Sequence, residues 1–388
     1  NNNLGRCMDI KQVVIKSHTI DPILLKPLSD LNPQLILVFA SVAHFQSADF
    51  ANTLIHSIPD AQWVGCSTAG EISGEGVTDN SVVITAIHFE HPDFMIAHTT
   101  LANMEQSYIA GQALAQQLSS RAELKHILVF GQGVNINGSA LIEGIAAHTP
   151  PNMGISGGLA GDAGQFLRSF VLNNQGVSQN TLCAIGFYGN HLSLVSSSFG
   201  GWKGFGATRQ ITRYQGNILY ELDGKPALDL YKRYLGDYAN DLPTSGLLFP
   251  FSMLSAEGSE VGIIRTILGI NREEGSLILA GDLIENGYLQ LMHASTDALV
   301  DGAQTAAEMI LSLQNSPNKS LGLLVSCVGR KLLMGGRVDE EVDAVANVLG
   351  SKTTLTGFYS NGEISPLSHS TDCKLHNQTM TITCLSEQ

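Results

Sequence analysis

Short apolar runs alternate with stretches of helical periodicity along the whole chain. Residues 35–40 (LILVFA) are continuously apolar, which is typical of a strand covered on both faces, and residues 126–130 and 321–330 have the same character. Further strands are predicted at 62–72, 82–89, 94–101, 181–187, 193–199, 261–270, 276–281 and 289–294, and helices at 48–58, 108–118, 139–147, 227–235, 297–313 and 339–349. This alternation predicts an α/β protein.

One succession of elements occurs twice. A buried strand and a helix lead to residues 64–73 (VGCSTAGEIS), and the same order leads to residues 356–366 (TGFYSNGEISP). Gly70 to Ser73 match Gly362 to Ser365, and Gly65 matches Gly357. We therefore predict two related domains built on a repeated βαβ unit with additional antiparallel strands, whose strand ends open on a crevice.

Length and composition bound the organisation of the chain. A chain of 388 residues fits two domains, and the change of character near residues 214–221 places the boundary so that they cover 1–215 and 216–388. Charged residues make up only 14% of the sequence. This low fraction indicates a surface partly covered by a partner or by self-association, as in a homo-oligomer.

Charge and cysteine usage exclude several classes of partner. The net charge of −14 argues against binding to nucleic acid or to an anionic membrane, whose phosphates would be repelled. No apolar run is long enough to span a membrane, and the first residues do not have the pattern of a signal peptide. The six cysteines form no C-x-x-C pair and read as reduced thiols, so we expect a cytoplasmic protein.

Several separated motifs, in this order, resemble the FIST family: GCSTAGEIS (65–73), GGLAGDAG (157–164), ELDGKPALDLY (221–231), SCVGR (326–330), GFYSNGEISP (357–366) and HNQTMTIT (376–383). The resemblance covers the chain from about residue 35 onward and includes the N- and C-terminal FIST parts. It implies a sensory module that binds a small ligand without catalysis. Chains of this stand-alone length resemble the bacterial haem-binding nitric oxide sensors, which act on a separate histidine kinase or on cyclic-di-GMP enzymes. No C-x-x-C-H haem-attachment motif accompanies the likeness.

The end of the strand at 62–72 offers small polar groups. Cys66, Ser67 and Thr68 would form either the polar floor of a ligand site or a tight turn packed on a neighbouring strand. A hydrolase using Cys66 or Ser67 as nucleophile is the alternative of a different class. It needs a histidine that the local sequence does not supply, so we expect no enzymatic activity. For Glu71 and Glu363, which match in the repeat, we favour a structural role.

A second candidate stands at the end of the strand predicted at 321–330. The guanidinium of Arg330 would grip a carboxylate, either a haem propionate or an amino acid. The competing interpretation is an ion pair with Glu340 or Glu363.

Histidine is the usual axial donor to haem iron. We single out His44 as the proximal ligand, because it follows a buried strand, lies between Phe39 and Phe45, and takes the place of Arg330 in the repeat. His191 and His293 are the alternatives. The leading hypothesis is a haem-based nitric oxide sensor that passes its signal by contact to a separate protein. A sensor of an amino acid or similar metabolite is the alternative within the same class.

Overall fold

The computed structural model describes residues 8–151, 153–314, 319–366 and 373–388. The chain forms three successive units of one topology, and a lobe is inserted into the third. Each unit has an outer strand, a helix, two parallel strands joined by a helical crossover, a hairpin and a closing antiparallel strand. The predicted α/β class, with a repeated βαβ unit and additional antiparallel strands, is confirmed. The structure adds a third copy of that unit.

The first two units follow directly on one another. Unit 1 contains β1 (Asp9–Ile15), α1 (Lys26–Ser29), β2 (Leu35–Ala40), α2 (Val42–Phe45), α3 (Phe50–Ser57), β3 (Gln62–Ser67), β4 (Glu71–Ser73), β5 (Gly76–Thr78) and β6 (Val82–His88). Unit 2 contains β7 (Phe94–Thr100), α4 (Ser107–Ser119), β8 (Leu124–Gly131), α5 (Gly138–Ala146), β9 (Gly154–Leu159), β10 (Val171–Asn173), β11 (Gly176–Ser178) and β12 (Thr181–Tyr188).

Unit 3 begins with β13 (Leu192–Phe199) and is then interrupted by the inserted lobe, residues 203–293. The lobe contains β14 (Lys203–Gly204), β15 (Arg209–Gln215), β16 (Ile218–Leu222), β17 (Lys225–Pro226), α6 (Ala227–Leu235), β18 (Phe251–Leu254), β19 (Glu260–Arg265), β20 (Ile267–Asn271), β21 (Ser276–Leu279) and β22 (Tyr288–His293). Unit 3 resumes with α7 (Thr296–Leu313), β23 (Ser320–Cys327), α8 (Val328–Met334), α9 (Asp339–Leu349), β24 (Thr353–Ser360), β25 (Gly362–Pro366), β26 (Cys373–His376) and β27 (Met380–Glu387).

The three units exchange their hairpins in a circle. The first sheet has the order β1-β6-β2-β3 from unit 1 and then β10-β11 from unit 2. The second has β7-β12-β8-β9 followed by β25-β26 from unit 3, and the third has β13-β27-β23-β24 followed by β4-β5 from unit 1. The strands of the lobe form a separate nine-stranded antiparallel sheet, in which the main order is β19-β18-β22-β15-β16-β21-β20. Each unit therefore depends on another unit to complete its sheet.

Matching glycines mark the same point in the three units. Gly65, Gly157 and Gly357 lie in β3, β9 and β24, where a Cβ atom would stand 1.9, 2.0 and 1.8 Å from a carbonyl oxygen of the paired parallel strand. Real Cβ atoms do not approach this closely, so only glycine fits. The predicted match of Gly65 with Gly357 is thus extended to a third position.

The inner faces of the three sheets share one apolar core. Phe39, Phe130 and Phe358 come from three different sheets, and the ring of Phe39 lies 5.7 Å from that of Phe130 and 4.8 Å from that of Phe358. The helices cover the outer faces, so β2 is buried at every position, as its continuous apolar run predicts. Every helix in the described ranges is too short or too polar to cross a membrane.

Three predicted strands, at 62–72, 261–270 and 321–330, are wrong in extent, and residues 261–270 form the two strands β19 and β20. Residues 62–72 form β3 and β4 in different sheets, because the chain turns at Gly70, whose φ is 142°. Residues 356–366 are divided in the same way between β24 and β25. The strand predicted at 321–330 ends at Cys327, whose Sγ accepts a hydrogen bond from the backbone N–H of Gly329 and caps α8. Arg330 therefore lies on a helix.

Candidate functional site

The ends of β3, β9 and β24 meet at the centre of the three units. The N–H of Ala69 donates to the carbonyl oxygen of Tyr359 at 2.8 Å, that of Gly161 to Ser67 at 2.8 Å, and that of Asn361 to Leu159 at 3.1 Å. These bonds form a closed circle, in which each unit donates to another. Backbone groups are thus satisfied where three strand ends converge in the protein interior.

The predicted polar floor lies at this centre and is buried. The Cys66 thiol belongs to the inner core, and burial raises its pKa well above its ordinary value. The Ser67 hydroxyl donates to the carbonyl oxygen of Gly161 at 2.7 Å and accepts from the N–H of Phe170 at 2.9 Å. A buried thiol that stays protonated is a poor nucleophile. Both side chains therefore hold the strand ends together.

Thr68 and Ser81 surround the carboxyl group of Glu71. Oε1 accepts from the Thr68 hydroxyl at 2.5 Å, and Oε2 accepts from the hydroxyl and the N–H of Ser81 at 2.8 and 3.1 Å. Glu363 repeats the arrangement: its carboxyl group accepts from the hydroxyl of Ser360 and from Thr379. Both carboxyl groups thus have the structural role favoured from the sequence.

The side chain of Arg330 makes all of its described hydrogen bonds to groups inside the protein. Its guanidinium pairs with Glu341, at 2.8 Å from Nη2 to Oε2, and donates to the carbonyl oxygens of Leu299, Gly200 and Gln378. The side chain has no solvent exposure. We predicted that Arg330 binds a ligand carboxylate or pairs with Glu340 or Glu363. In the structure it pairs with Glu341 instead. Because Gly200 precedes the lobe and Leu299 follows it, Arg330 anchors both connections of the lobe.

His44 occupies the position in unit 1 that Arg330 occupies in unit 3. Ala40 pairs with Ser67 at the same register at which Ser326 pairs with Tyr359. His44 and Arg330 each lie four residues after these matched positions. The His44 ring is buried, with Nδ1 2.8 Å from the Ser41 hydroxyl and Nε2 3.0 Å from the carbonyl oxygen of Ser17. Nε2 must donate to a carbonyl, so Nδ1 accepts from the hydroxyl. Neither nitrogen then has a lone pair for iron.

The other two histidines lie elsewhere and are exposed. His191 places Nδ1 3.0 Å from Oδ2 of Asp93 and stacks on His91 at 4.1 Å, whereas His293 packs edge-on against Phe205 in the lobe. The three histidines are not brought together with Cys66, Ser67, Thr68 or Arg330. Within the described ranges, no group of three or more histidine, cysteine, aspartate or glutamate side chains is arranged to hold a metal ion. These residues do not fit a haem.

A cavity of about 550 Å³ lies between unit 2 and the inserted lobe. It is walled by α5 and the segment after it, the start of β9, strands β18 and β19, the segment after β21, and β26. Its apolar lining includes Ile142, Met153, Ile155, Met253, Val261, Ile263, Leu283 and Ile284, and its polar lining includes Ser139, Glu143, Arg265, Asp282 and Lys374. A concave, mostly apolar site with a few polar groups is typical of small-ligand binding. We call it the lobe cavity.

Arg265 is a charged group in the wall of the lobe cavity and is only 3% exposed. Nε donates to the carbonyl oxygen of Asp282 at 3.0 Å and Nη1 to that of Leu375 at 2.8 Å, but Nη2 has only a 3.4 Å contact with the Ser139 hydroxyl. Burial lowers its pKa to about 10, and the Asp282 charge opposes this shift. The guanidinium is thus charged at neutral pH, and no carboxylate pairs with it in the described part of the chain.

The carboxylate of Asp282, which also lines the lobe cavity, is fixed by hydrogen bonds. Both carboxylate oxygens of Asp282 accept from Nδ2 of Asn137, at 3.0 and 3.2 Å. Asn137 is in turn the N-cap of α5, since its Oδ1 accepts from the N–H of Ala140. A cation and an anion therefore face one cavity without pairing to each other. Such an arrangement suits a ligand that carries both charges, with its anionic end also near the start of a helix.

Sequence reasoning missed Arg265 and Asp282. Arg265 stands within the apolar strand predicted at 261–270 (VGIIRTILGI), and a charge in such a strand is the signal that could have identified it. Asp282 carries no such signal, because its role depends on α5, which is distant in sequence.

Two layers of evidence define the class of this protein. The structure is an α/β protein with a cavity under an inserted lobe. The chain matches the FIST N domain over residues 34–225 and the FIST C domain over residues 227–366, and it belongs to the FIST family. FIST domains are sensor domains of signal transduction that respond to small ligands. The boundary predicted at 215/216 stays a prediction.

Individual relatives are distant. An uncharacterised protein of Methanocaldococcus jannaschii is 23% identical over 304 residues, which cover 71% of this chain and 56% of the relative. The chain thus spans little more than half the length of the curated relative it matches. The structure of a cyanuric acid hydrolase from A. caulinodans aligns over 98% of this chain and 99% of its own, with a TM-score of 0.38 and 8% identity. A likeness of this degree carries no argument about activity.

Proposed function

We propose that this protein is a sensor of a small carboxylate-bearing metabolite, such as an amino acid, which binds in the lobe cavity. The observation that carries the proposal is the guanidinium of Arg265, which is buried at the cavity wall and lacks a carboxylate partner in the described ranges. A guanidinium pairs with a carboxylate through charge-assisted hydrogen bonds. The ligand would supply the missing anion.

The second charge narrows the ligand class. Asp282, held by Asn137, and Glu143 both line the lobe cavity. A ligand ammonium group placed against these carboxylates would balance them, while its carboxylate pairs with Arg265. A zwitterion therefore fits the cavity better than a simple anion, and its apolar part would contact Ile263 and Met253.

This proposal takes the second of the sequence-based hypotheses in preference to the first. A haem-based nitric oxide sensor needs an imidazole with a free lone pair, and His44 uses both nitrogens in hydrogen bonds. A hydrolase needs an accessible nucleophile, and Cys66 and Ser67 are buried in the centre of the molecule. A non-enzymatic role agrees with these placements. The five described free cysteines, all buried, agree with a reducing cytoplasm.

A sensor can signal that its ligand is bound only if the ligand binds more tightly to one of two conformational states of the protein. The lobe cavity has walls on unit 2 and on the lobe, so a bound ligand would hold the two closer together. Arg330 fixes both connections of the lobe at one point and would serve as the pivot. The partner that distinguishes the two states would be a separate signalling protein, such as a histidine kinase or a cyclic-di-GMP enzyme.

The test is calorimetric titration with the common amino acids and small dicarboxylates, using the wild type, Arg265→Lys and Asp282→Asn. The control is Arg233→Lys, which changes an exposed side chain of α6. We expect at least one zwitterion to bind the wild type and the control alike. Arg265→Lys should weaken it by about tenfold or more, which corresponds to about 1.4 kcal/mol. Asp282→Asn should weaken amino acids but not dicarboxylates. If the zwitterion bound Arg265→Lys as tightly as the wild type, the result would contradict the proposal. A haem absorption band in a protein that binds no zwitterion would contradict it as well.

A further inference from the structure

Unit 2 contains a loop that the other two units lack. In units 1 and 3 the chain passes from the central strand ends directly into the hairpin, at Glu71 and at Gly362. In unit 2, residues 163–170 intervene between Asp162 and β10. We call this segment the unit 2 loop. Its presence in one of three equivalent positions indicates that the sheets themselves do not require it.

The unit 2 loop is held firmly. The carboxylate of Asp162 accepts from three successive backbone N–H groups, those of Phe166, Leu167 and Arg168, at 2.9, 2.7 and 3.1 Å. Ala163 and Phe166 adopt the left-handed conformation, with φ of 58° and 54°. Non-glycine residues adopt it at a cost, which the Asp162 bonds and the packing of Phe166 on unit 3 offset.

This rigid support presents an apolar side chain to solvent. Leu167 is 73% exposed, the highest value among the large apolar residues of the described ranges. The fixed backbone on both sides means that little conformational entropy would be lost if a partner covered it. An exposed apolar side chain on a preorganised loop is the type of residue that anchors a protein interface.

The neighbouring Arg168 is exposed, and its guanidinium has no carboxylate partner among the described residues. Its guanidinium nitrogens meet the side-chain oxygen of Gln46 at 2.7 to 3.1 Å. It borders an open cleft of about 600 Å³. A small molecule there would remain largely in water, whereas a protein surface would cover the cleft and the loop together.

A surface of complementary chemistry lies on unit 3. The helices α7 and α9 border a groove of about 370 Å³, which we call the α7–α9 groove. Ala344 and Val348 give it an apolar strip, and Asp343 and Glu340 give it negative charge. Glu340 pairs with Arg337, but Asp343 is exposed and pairs with no cation among the residues that the structure describes.

We propose that the unit 2 loop of one molecule docks in the α7–α9 groove of a second copy of this chain. Leu167 would cover Ala344 and Val348, and Arg168 would pair with Asp343. The two surfaces match in charge and in apolar character, and the chain, with 35 acidic against 21 basic residues, has few other cations to offer its own carboxylates. Because the surfaces are different, the association is head-to-tail. With one exposed ion pair and one apolar anchor, it is reversible and weak.

Sedimentation equilibrium over a range of concentrations tests this contact. We expect the wild type to associate as its concentration rises, and Leu167→Ser, Arg168→Glu and Asp343→Arg each to weaken association by about tenfold or more. The matched control is Arg233→Glu, which reverses one exposed charge on α6 and should associate like the wild type. All four side chains are exposed, so thermal unfolding should show that the variants keep their fold.

A mixture of two variants gives the sharper result. Leu167→Ser retains an intact α7–α9 groove, and Asp343→Arg retains an intact unit 2 loop. Each alone should be monomeric, but a 1:1 mixture should form dimers and no larger species, because only one productive contact remains. A wild type that stays monomeric throughout, association that survives Arg168→Glu, or a mixture without dimers would each overturn the proposal.

Discussion

Arg330 and Glu341 form an ion pair in which both side chains are fully buried, with Nη2 of Arg330 2.8 Å from Oε2 of Glu341. The other carboxylate oxygen accepts from the hydroxyls of Tyr359 and Ser326, at 2.6 and 2.8 Å. The pair therefore joins α8, α9, β23 and β24. Through Gly200 and Leu299 it also reaches both connections of the inserted lobe.

Breaking this pair should destabilise the protein strongly. We expect Arg330→Met to lower the free energy of unfolding by about 3–5 kcal/mol, because it leaves the Glu341 carboxylate buried without a counter-charge. Urea unfolding measures the effect, and the exposed Arg233→Met serves as the control. If Arg330→Met retained full stability and instead lost ligand affinity, Arg330 would be a ligand residue, as first predicted from the sequence.

The hydrogen bonds of His44 lead to a prediction about haem. Protein produced with haem supplied should show no Soret band that depends on His44, since both ring nitrogens are already bonded within the protein. His44→Ala should instead lower stability by about 1–3 kcal/mol, the cost of leaving buried polar partners unsatisfied. A Soret band in the wild type that disappears in His44→Ala would restore it as the axial ligand. His191→Ala and His293→Ala are the matched comparisons.

Glu363 should make stability depend on pH. Burial raises its pKa from 4.5 to about 8, against the hydrogen bonds from Ser360 and Thr379, which act to lower the pKa. Between pH 4.5 and 8 the folded state then holds a proton that the unfolded state has released. The stability that this group contributes is fully present below pH 4.5 and is lost as the pH rises through 8, by at most about 1.4 kcal/mol per pH unit.

Comparison with Glu363→Gln isolates this contribution. Burial lowers the pKa of His126 and of His376 to about 4, so both histidines make stability rise with pH between about 4 and 6.5, in the opposite sense. Their effect is common to both proteins and cancels in the difference. Calorimetric melting temperatures at pH 5, 6, 7 and 8 should show the wild type falling progressively relative to Glu363→Gln. A constant difference would mean that Glu363 is ionised throughout.

Local patterns predicted the elements well, because apolar runs and helical periodicity depend on neighbouring residues. β2 occupies the predicted residues 35–40, and α7 differs from its prediction by one residue. The repeat was recognised from Gly70-Glu71 and Gly362-Glu363, but the copy in unit 2 was missed. There the segment GGLAGDAG has Asp162-Ala163 where the other units have Gly-Glu, and the unit 2 loop begins at Ala163.

The site was harder to predict, because its residues are joined only by the fold. Arg265, Asp282 and Asn137 come from the lobe and from unit 2, and no spacing along the chain relates them. His44 and Arg330 were correctly aligned in the repeat, but their partners, Ser17 and Glu341, depend on tertiary packing. The sequence pattern indicated which positions are special without indicating what they contact.

The exchange of hairpins predicts that neither half of the chain folds fully alone. A cut at 215/216 separates β13 from β27, which pair along their whole length from Leu192↔Glu387 to Phe199↔Met380. It also removes β4-β5 from the third sheet and β25-β26 from the second. Each half would then expose unpaired strand edges and part of the shared inner core.

Residues 1–215 and 216–388, produced separately, should therefore melt without cooperativity or at a temperature well below the melting temperature of the whole chain. Co-expression of the two halves should restore a complex that melts like the intact protein. Circular dichroism of each half, of the co-expressed pair and of the whole chain makes the comparison. A cut within the loop at 256–259, which joins β18 to β19 inside the lobe, is the control, because both strands stay in one sheet with their neighbours. Two halves that each unfold cooperatively at the temperature of the whole would show that the exchanged hairpins contribute little, since the units would then be stable without the strands they receive.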